Sequence, residues 1–367
     1  GAVDLIGMTR AHMADPHIVA KIMRGEEQRI RPCVGAAYCI DRIYQGGEAL
    51  CLHNAATGRE ETMPHVIPKS TGPEKKVVVV GAGPAGLEAA RVSTARGHRV
   101  VLFEAADKPG GQILLAAKLQ RRREIVGIAE WLAAEVAELG VDCRFNRYAE
   151  ASDVLAEQPD IVVIATGGLP NAGRLKFGAD LATSSWDVLA GQVPVAPEVL
   201  VFDDHGGHEG STLAEFVVNQ GVRLEYVTPE RAMGVDVGGL NYPAYYKALY
   251  GAKATMTVNH RLKGIKRDGN KLVAVLTNDY DKSQTERRVD QVIAEHGTLP
   301  AAEIYFELKD RSSNRGEIDF DALIANRPQA LVRNKAGRFQ LFRVGDAVSS
   351  RNIHAALYES LRLCLQF

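Results

Sequence analysis

Long apolar runs and any surplus of charge are both missing from this 367-residue sequence. No stretch approaches the roughly 18 to 20 uninterrupted apolar residues that cross a bilayer. The opening residues GAVDLIGMTR lack the basic start and apolar run of a secretory leader. No membrane partner is expected, and the location read from the sequence is cytoplasmic. Lys plus Arg number 44 against 45 Asp plus Glu, a balance without the polyelectrolyte field that draws nucleic acid. Cysteine is scarce and odd in number, 5 in all, which does not make a disulfide framework. Low-complexity tracts are absent, and so are internal repeats beyond the two nucleotide-type units described below.

The apolar content is 46%, enough at this length for two or three globular units. The opening segment, Val3 to Met8, reads as a strand apolar on both faces, of the kind that neighbours cover in a parallel sheet. With no initiator Met ahead of it, the chain is expected to be a fragment. Ile18, Val19, Ile22 and Met23 follow helical spacing within a helix expected over Ala11 to Arg24. Cys33, Cys39 and Cys51 then crowd into one loop, which points to metal or iron–sulfur ligation, with inert buried thiols as the plainer alternative. Pro64, Pro68, Gly72 and Pro73 mark Thr62 to Lys75 as a linker.

After the linker, KKVVVVGAGPAGLEAARVSTARGHRVVLFEA reads as strand, glycine turn, helix and strand. Gly81, Gly83 and Gly86 form G-x-G-x-x-G directly after the strand Val77 to Val80, with Pro84 and Ala85 inside the turn and Glu104 closing the next strand. In such a unit the first glycine permits the turn, the second lets backbone approach a pyrophosphate, and the third lets helix and strand pack closely. Helix N–H groups then hold the phosphates, and Glu104 is placed to accept from ribose hydroxyls. Ile125 to Leu139 reads as an amphipathic helix and Pro159 to Gly168 as a buried strand, both continuing a doubly wound sheet.

A second strand-turn-helix-strand unit opens at Glu198, but its loop, FDDHGGHEG, has no G-x-G-x-x-G. Asp203, Asp204 and Glu209 put carboxylates where a diphosphate would sit, so this unit reads as structural rather than as a nicotinamide site. Ile265 to Val292 alternates and turns at Asp268, Gly269 and Asn270 as a β-meander. The segment from Arg338 closes the chain with a strand, a Gly-Asp turn and a helix. Cys143 and Cys364 fall in strand and helix contexts and read as structural. His205, His208, His296 and His354 read as solvent-facing loop-proximal residues without a role.

GAGPAG at Gly81, PGGQ at Pro109 to Gln112, ATGG at Ala165 and VGDA at Val344 together resemble the two-dinucleotide-binding-domain flavoproteins. The resemblance implies that Gly111, Gln112, Thr166 and Gly167 join the dinucleotide site. It also implies that Gly345 and Asp346 bind the ribityl and pyrophosphate region, which favours FAD, with ADP as the alternative. The segments GAVDLIGMTRAHMADPHIVAKIMRGEEQRIRPC and CIDRIYQGGEALCLHNAATGRE are similar to the end of an Old Yellow Enzyme-like barrel and its iron–sulfur loop. The parent group is that of NADH:flavin oxidoreductases, trimethylamine dehydrogenase and 2,4-dienoyl-CoA reductase. The nearest look is to N-methylproline or dimethylglycine demethylase-like members.

This resemblance implies an α/β fold: a Rossmann-like two-dinucleotide-binding-domain module preceded by the last βα unit of a TIM barrel and a cysteine loop. The implied domains are 1–65 for barrel remnant and loop, 66–178 plus 305–367 for the FAD (or ADP) domain, and 179–304 for an inserted second nucleotide-type domain. Arg10 matches the arginine that holds an FMN phosphate in the parent barrel. Cys33, Cys39 and Cys51 match cluster ligands, but the second ligand position of the parent pattern falls on Ala36. A 4Fe-4S cluster, a three-iron cluster, a non-cysteine fourth ligand such as His53, and no cluster are all open.

The implied function is the electron-transfer half of an iron–sulfur flavoprotein performing oxidative N-demethylation of a small methylated amine, with an electron-transfer flavoprotein as acceptor and a homo-oligomer as an assembly option. The rival readings are an NAD(P)H-dependent enoyl or dienoyl reductase and a non-catalytic ADP- or FAD-binding docking module. No catalytic residue is expected in this chain, since the substrate would sit in the barrel.

Overall fold

A computed structural model describes every residue of the chain except 1, 2 and 172. Its contacts divide the chain into two compact units, 1–114 with 124–168 and 300–367, and 115–123 with 169–299. Residues 3–65 thus fall within the first unit, and the chain leaves that unit after Gly168 and returns at Pro300.

The first unit is built on a five-stranded parallel sheet in the order Gln340–Arg343, Ile161–Ile164, Lys76–Val80, Arg99–Phe103 and Asp142–Arg144. Val77, Val78, Val79 and Val80 are all buried, because a parallel strand is covered on both faces and so reads as a continuous apolar run. The chain winds to one side of Lys76–Val80, through Arg99–Phe103 to Asp142–Arg144, then returns to the other side with Ile161–Ile164. That reversal opens a crevice at the carboxyl ends of the strands, the usual ligand position in an open α/β sheet. Helix Pro84–Ala95 packs between helices Gly127–Glu138 and Ile353–Cys364.

The amino-terminal segment departs from expectation. Residues 3–8 form no strand and are exposed, Leu5 at 93% and Ile6 at 70%. A strand needs a neighbour to take its backbone N–H and C=O groups, and no described strand lies beside this one. The single helix expected over Ala11 to Arg24 is two, Arg10–Ala14 and Ile18–Met23. Pro16 excludes helical backbone at Asp15, which is extended at φ −140° and ψ 98°. The freed Asp15 carboxylate accepts from the N–H groups of His17 (3.0 Å) and Arg31 (2.9 Å) and from Lys21 Nζ (2.6 Å). Burial opposes its charge, yet these donors hold the carboxyl below its ordinary value.

The second unit has its own five-stranded parallel sheet, Thr183–Ser184, Gln291–Glu295, Glu198–Asp203, Arg223–Val227 and Thr255–Thr257. An antiparallel meander accompanies it, His260–Asp268, Lys271–Asn278 and Gln284–Val289. The meander turns at Gly269 as expected but ends at Val289, and Gln291–Glu295 joins the parallel sheet instead. Its core gathers Val201, Leu213, Val217, Tyr226 and Tyr245, all fully buried. Replacing Leu213 by Ala is expected to cost about 2–5 kcal/mol, read as a fall in the urea midpoint of the second unit. A loss under about 0.5 kcal/mol would show that this core relaxes around the deletion.

Candidate functional site

Four turns meet at the carboxyl edge of the first sheet. Gly81 follows the strand Lys76–Val80 with φ +104°, and a Cβ there would lie 2.4 Å from the Ala165 carbonyl oxygen. A Cβ on Gly86 would lie 1.8 Å from the Gly81 carbonyl oxygen. Only hydrogen fits at either position, so the helix Pro84–Ala95 starts against the end of the strand. Gly83 differs: nothing lies within 4 Å of a Cβ built there. Open space therefore faces the first turn of a 12-residue helix with Pro84 at its start, where unpaired N–H groups and the helix dipole favour an anion.

The residues named from distant parts of the sequence converge on that space. A Cβ on Gly111 would sit 3.2 Å from the Gly83 Cα. Gln112 Nε2 donates to Asp346 Oδ2 at 3.1 Å and lies 3.8 Å from a Cβ built on Gly167. Gly345 approaches Ala85, whose Cβ would be 2.8 Å from one on Gly345, and donates its N–H to Glu359 at 2.9 Å. Thr166 Oγ1 donates to the Ala301 carbonyl. Glu104 accepts from the N–H groups of Ala82 (2.6 Å) and Ala106 (2.8 Å). Each of its oxygens keeps acceptor capacity, so it braces the turn and still offers lone pairs to a hydroxyl. The sequence reading had not singled out Glu359, which also pairs with Arg351 and closes the Gly345–Asp346 turn.

The cysteine loop is a second centre in the same unit. Cys33, Cys39 and Cys51 line one pocket together with Arg10, Met13, Ala36 and His53. Cys39 rides on the helix Tyr38–Tyr44, which starts after Ala37 in the left-handed region at φ 61°. Arg10 is exposed and faces Cys33 and Gly35 rather than the crevice. Cys51 Sγ accepts from the backbone N–H groups of Asn54, at 3.4 Å, and of His53. Burial raises the Cys51 thiol even so, against those amides and the nearby Arg31. The Arg31 guanidinium lies 4.2 Å over the Trp131 ring, and burial pushes it down to about 10. Arg31 stands two residues before Cys33 in RPC, the only sequence signal for it.

His53 is 3% exposed, its Nδ1 is 3.1 Å from the Pro32 carbonyl oxygen, and its ring meets Trp131 edge to face at 5.1 Å. Burial, reinforced by Arg31, holds it well below the usual imidazole value. Its Nε2 is buried and has no hydrogen-bond partner. Among the described residues no three His, Cys, Asp or Glu side chains close on a single metal ion. A four-cysteine cluster does not fit this loop, because Ala36 contributes a methyl group to the wall. Three thiols in a pocket walled by Met13, Val34 and Leu52 are donors of the soft class an iron–sulfur cluster takes, and with Ala36 in the wall any fourth ligand would be other than a thiolate.

Two of the histidines read as solvent-facing are buried, His296 at 8% and His354 at 5% exposure. Both found partners: His354 Nδ1 is 2.9 Å from the Cys51 carbonyl oxygen and His296 Nδ1 is 2.9 Å from Asp204 Oδ1. His205 and His208 are half-buried, and His208 Nδ1 lies 3.1 Å from Tyr245 Oη.

In the second unit the corresponding turn is closed from within. Asp203, at the end of Glu198–Asp203, is fully buried and its Oδ1 accepts from the N–H groups of His205 (2.9 Å) and Gly206 (3.0 Å). Tyr226 Oη donates to its Oδ2 at 2.5 Å, and a Cβ on Gly210 would lie 2.2 Å from that oxygen. The protein's own carboxylate thus takes two backbone amides of this turn. Burial raises the Asp203 carboxyl, and it raises Glu295 to about 7, where the charges of Glu209 and Asp203 add to the effect. Glu295, an acid at the end of the apolar strand Gln291–Glu295, accepts from Ser185 and from the Gly297 N–H at 2.7 Å.

Residues 75–187 match the family model "Pyridine nucleotide-disulphide oxidoreductase". The chain is 53% identical to a probable N-methylproline demethylase of Rhizobium meliloti, over 99% of this chain and 53% of that protein. It is 48% identical to an N,N-dimethylglycine/sarcosine dehydrogenase of Chromohalobacter salexigens, over 100% of this chain and 55% of that protein. The chain therefore spans about half the length of the curated relatives it matches. Among solved structures, histamine dehydrogenase from Rhizobium sp. 4-9 superposes with a TM-score of 0.83 at 22% identity, covering 99% of this chain and 55% of that one.

Two measurements follow from this geometry. Gly83→Asp is expected to keep stability or raise it by a few tenths of a kcal/mol, since Asp is a good helix N-cap, while about tenfold less nucleotide stays bound; retention at the wild-type level would remove Gly83 from the site. Glu295 favours the folded state while protonated, so its contribution is full below its ordinary 4.5 and is lost as pH rises through about 7. The unfolding free energy of the second unit, read from its urea midpoint, should fall across that window by up to about 3 kcal/mol, and Glu295→Gln should flatten the profile.

Proposed function

We propose that this chain, which belongs to the flavoprotein oxidoreductase family of these demethylases and dehydrogenases, is the electron-transfer half of an iron–sulfur flavoprotein that oxidatively N-demethylates a small methylated amine. The observation that carries the reading is 53% identity to a demethylase across 99% of the chain. The contrast between the two turns supports its direction. The first offers open space at Gly83, whereas the second is filled by Asp203, which disfavours nicotinamide as the electron source.

FAD in the first crevice, when bound, supplies two-electron redox chemistry. The chain's own residues hold it. The turn from Gly81 to Gly86, with Pro84 and Ala85, presents helix amides to the pyrophosphate. Glu104 takes a ribose hydroxyl and disfavours a 2′-phosphate by its charge. Gly345 and Asp346, tied to Gln112 at 3.1 Å, hold the ribityl side, and Gly111, Thr166 and Gly167 wall the crevice. Cys33, Cys39 and Cys51 hold an iron–sulfur cluster, and Arg10 meets the phosphate of an FMN held by the barrel of the longer protein. Proton abstraction from the amine falls outside this chain, an electron-transfer flavoprotein is the acceptor class, and the site of action is the cytoplasm. No helix among the described residues is long and apolar enough to cross a membrane.

Extraction of the bound nucleotide from the purified chain, followed by chromatography, should yield FAD. Recovery of ADP alone would sink the FAD assignment. Anaerobic addition of NADH should leave the flavin oxidised; rapid bleaching would instead favour an NAD(P)H-dependent enoyl or dienoyl reductase.

A further inference from the structure

We propose that His53 is the fourth ligand of the cluster, coordinating through Nε2 in place of the side chain that Ala36 lacks; this rests on the reading that the cysteine loop holds a cluster. His53 and the three cysteines line one pocket. The Pro32 carbonyl, 3.1 Å from Nδ1, only accepts, so Nδ1 carries the hydrogen and Nε2 keeps its lone pair. That arrangement is the one that metal-bound histidines show, with the second ring nitrogen donating to a carbonyl or carboxylate. Nε2 is buried without any partner, and a buried acceptor left unpaired in a folded protein calls for an occupant.

The other side chains of the pocket wall serve less well. Arg10 is a cation with no lone pair to give. Tyr38 packs its ring, tilted by 31°, against His354 at 5.0 Å. Met13 offers only a weak thioether acceptor. Among the described residues no three of these donors are grouped to hold one metal ion, and a multi-iron cluster does not need such a group because each iron takes its own protein ligand. A neutral imidazole in place of a thiolate removes one negative charge from the cluster, which raises its reduction potential, as in centres where histidine replaces cysteine.

The test uses the full chain, reconstituted anaerobically with iron and sulfide, with iron counted and the reduced cluster examined by pulsed electron paramagnetic resonance. Uniform 15N-histidine labelling should alter the nitrogen coupling of the wild-type signal. His53→Ala should lose that coupling and retain one iron fewer per chain, with the nucleotide content of the crevice unchanged as a check on folding. His53→Cys should restore the iron count, lose the nitrogen coupling and shift the potential downward. A wild-type cluster without histidine coupling, or His53→Ala with the full iron count, would overturn the assignment while leaving the cluster reading intact. No iron retained by either wild type or His53→Cys would overturn the cluster reading itself.

Discussion

The approach of Gly86 to Gly81 and of Gly81 to Ala165 governs the first unit. Side-chain carbons at these two glycines would sit 1.8 Å and 2.4 Å from carbonyl oxygens, so the helix starts within hydrogen-atom clearance of two strand ends. The sheet order reverses at this place. The reversal leaves a gap, the close approach aims helix amides into it, and Gly83 keeps it empty. The turns at Gly111, Gly167 and Gly345 close around the same gap, and the Gln112–Asp346 hydrogen bond ties two of those turns together.

The second unit repeats the strand-turn-helix plan with a different outcome. There a carboxylate, Asp203, folds back onto the amides of His205 and Gly206, and Tyr226 closes its other oxygen. Burying an acid this deeply is costly unless it is hydrogen-bonded, and three donors meet it here. The same plan therefore leaves open space beside Gly83 in one unit and sets a carboxylate on the turn amides in the other. Fold alone does not distinguish them; one side chain at the strand end does.

The cysteine loop is joined to the first unit through charge and aromatic packing. Arg29 pairs with Glu135 at 2.8 Å, Trp131 donates to the Arg29 carbonyl at 3.0 Å, and Arg31 lies over the same Trp131 ring. Beneath them Glu88 and Arg91 form a buried pair at 2.7 Å, in which removing either partner strands the other charge. His354, at the start of the helix Ile353–Cys364, reaches the Cys51 carbonyl. The loop is thus held from its flanks, while the pocket holding its three thiols stays walled mainly by small and apolar side chains.

Local pattern carried much of this into the sequence. Glycine spacing after a run of valines announces the first turn, because φ above zero and missing Cβ atoms leave few other residues possible. Acids in FDDHGGHEG announce that the second turn differs. Elements whose existence depends on partners were not legible: Val3 to Met8 has strand composition but no described strand beside it, and Pro16 divides a helix that periodicity alone joins. Meeting points were beyond reach for the same reason. Gln112 and Asp346 lie 234 positions apart, and the burial of Glu295, the orphaned Nε2 of His53 and the Arg31–Trp131 contact arise from packing across long separations. Sequence by itself determined the turns and the strand and helix periods, which short-range sterics dictate; tertiary structure decided which polar groups lost water, since burial is a property of what surrounds a residue.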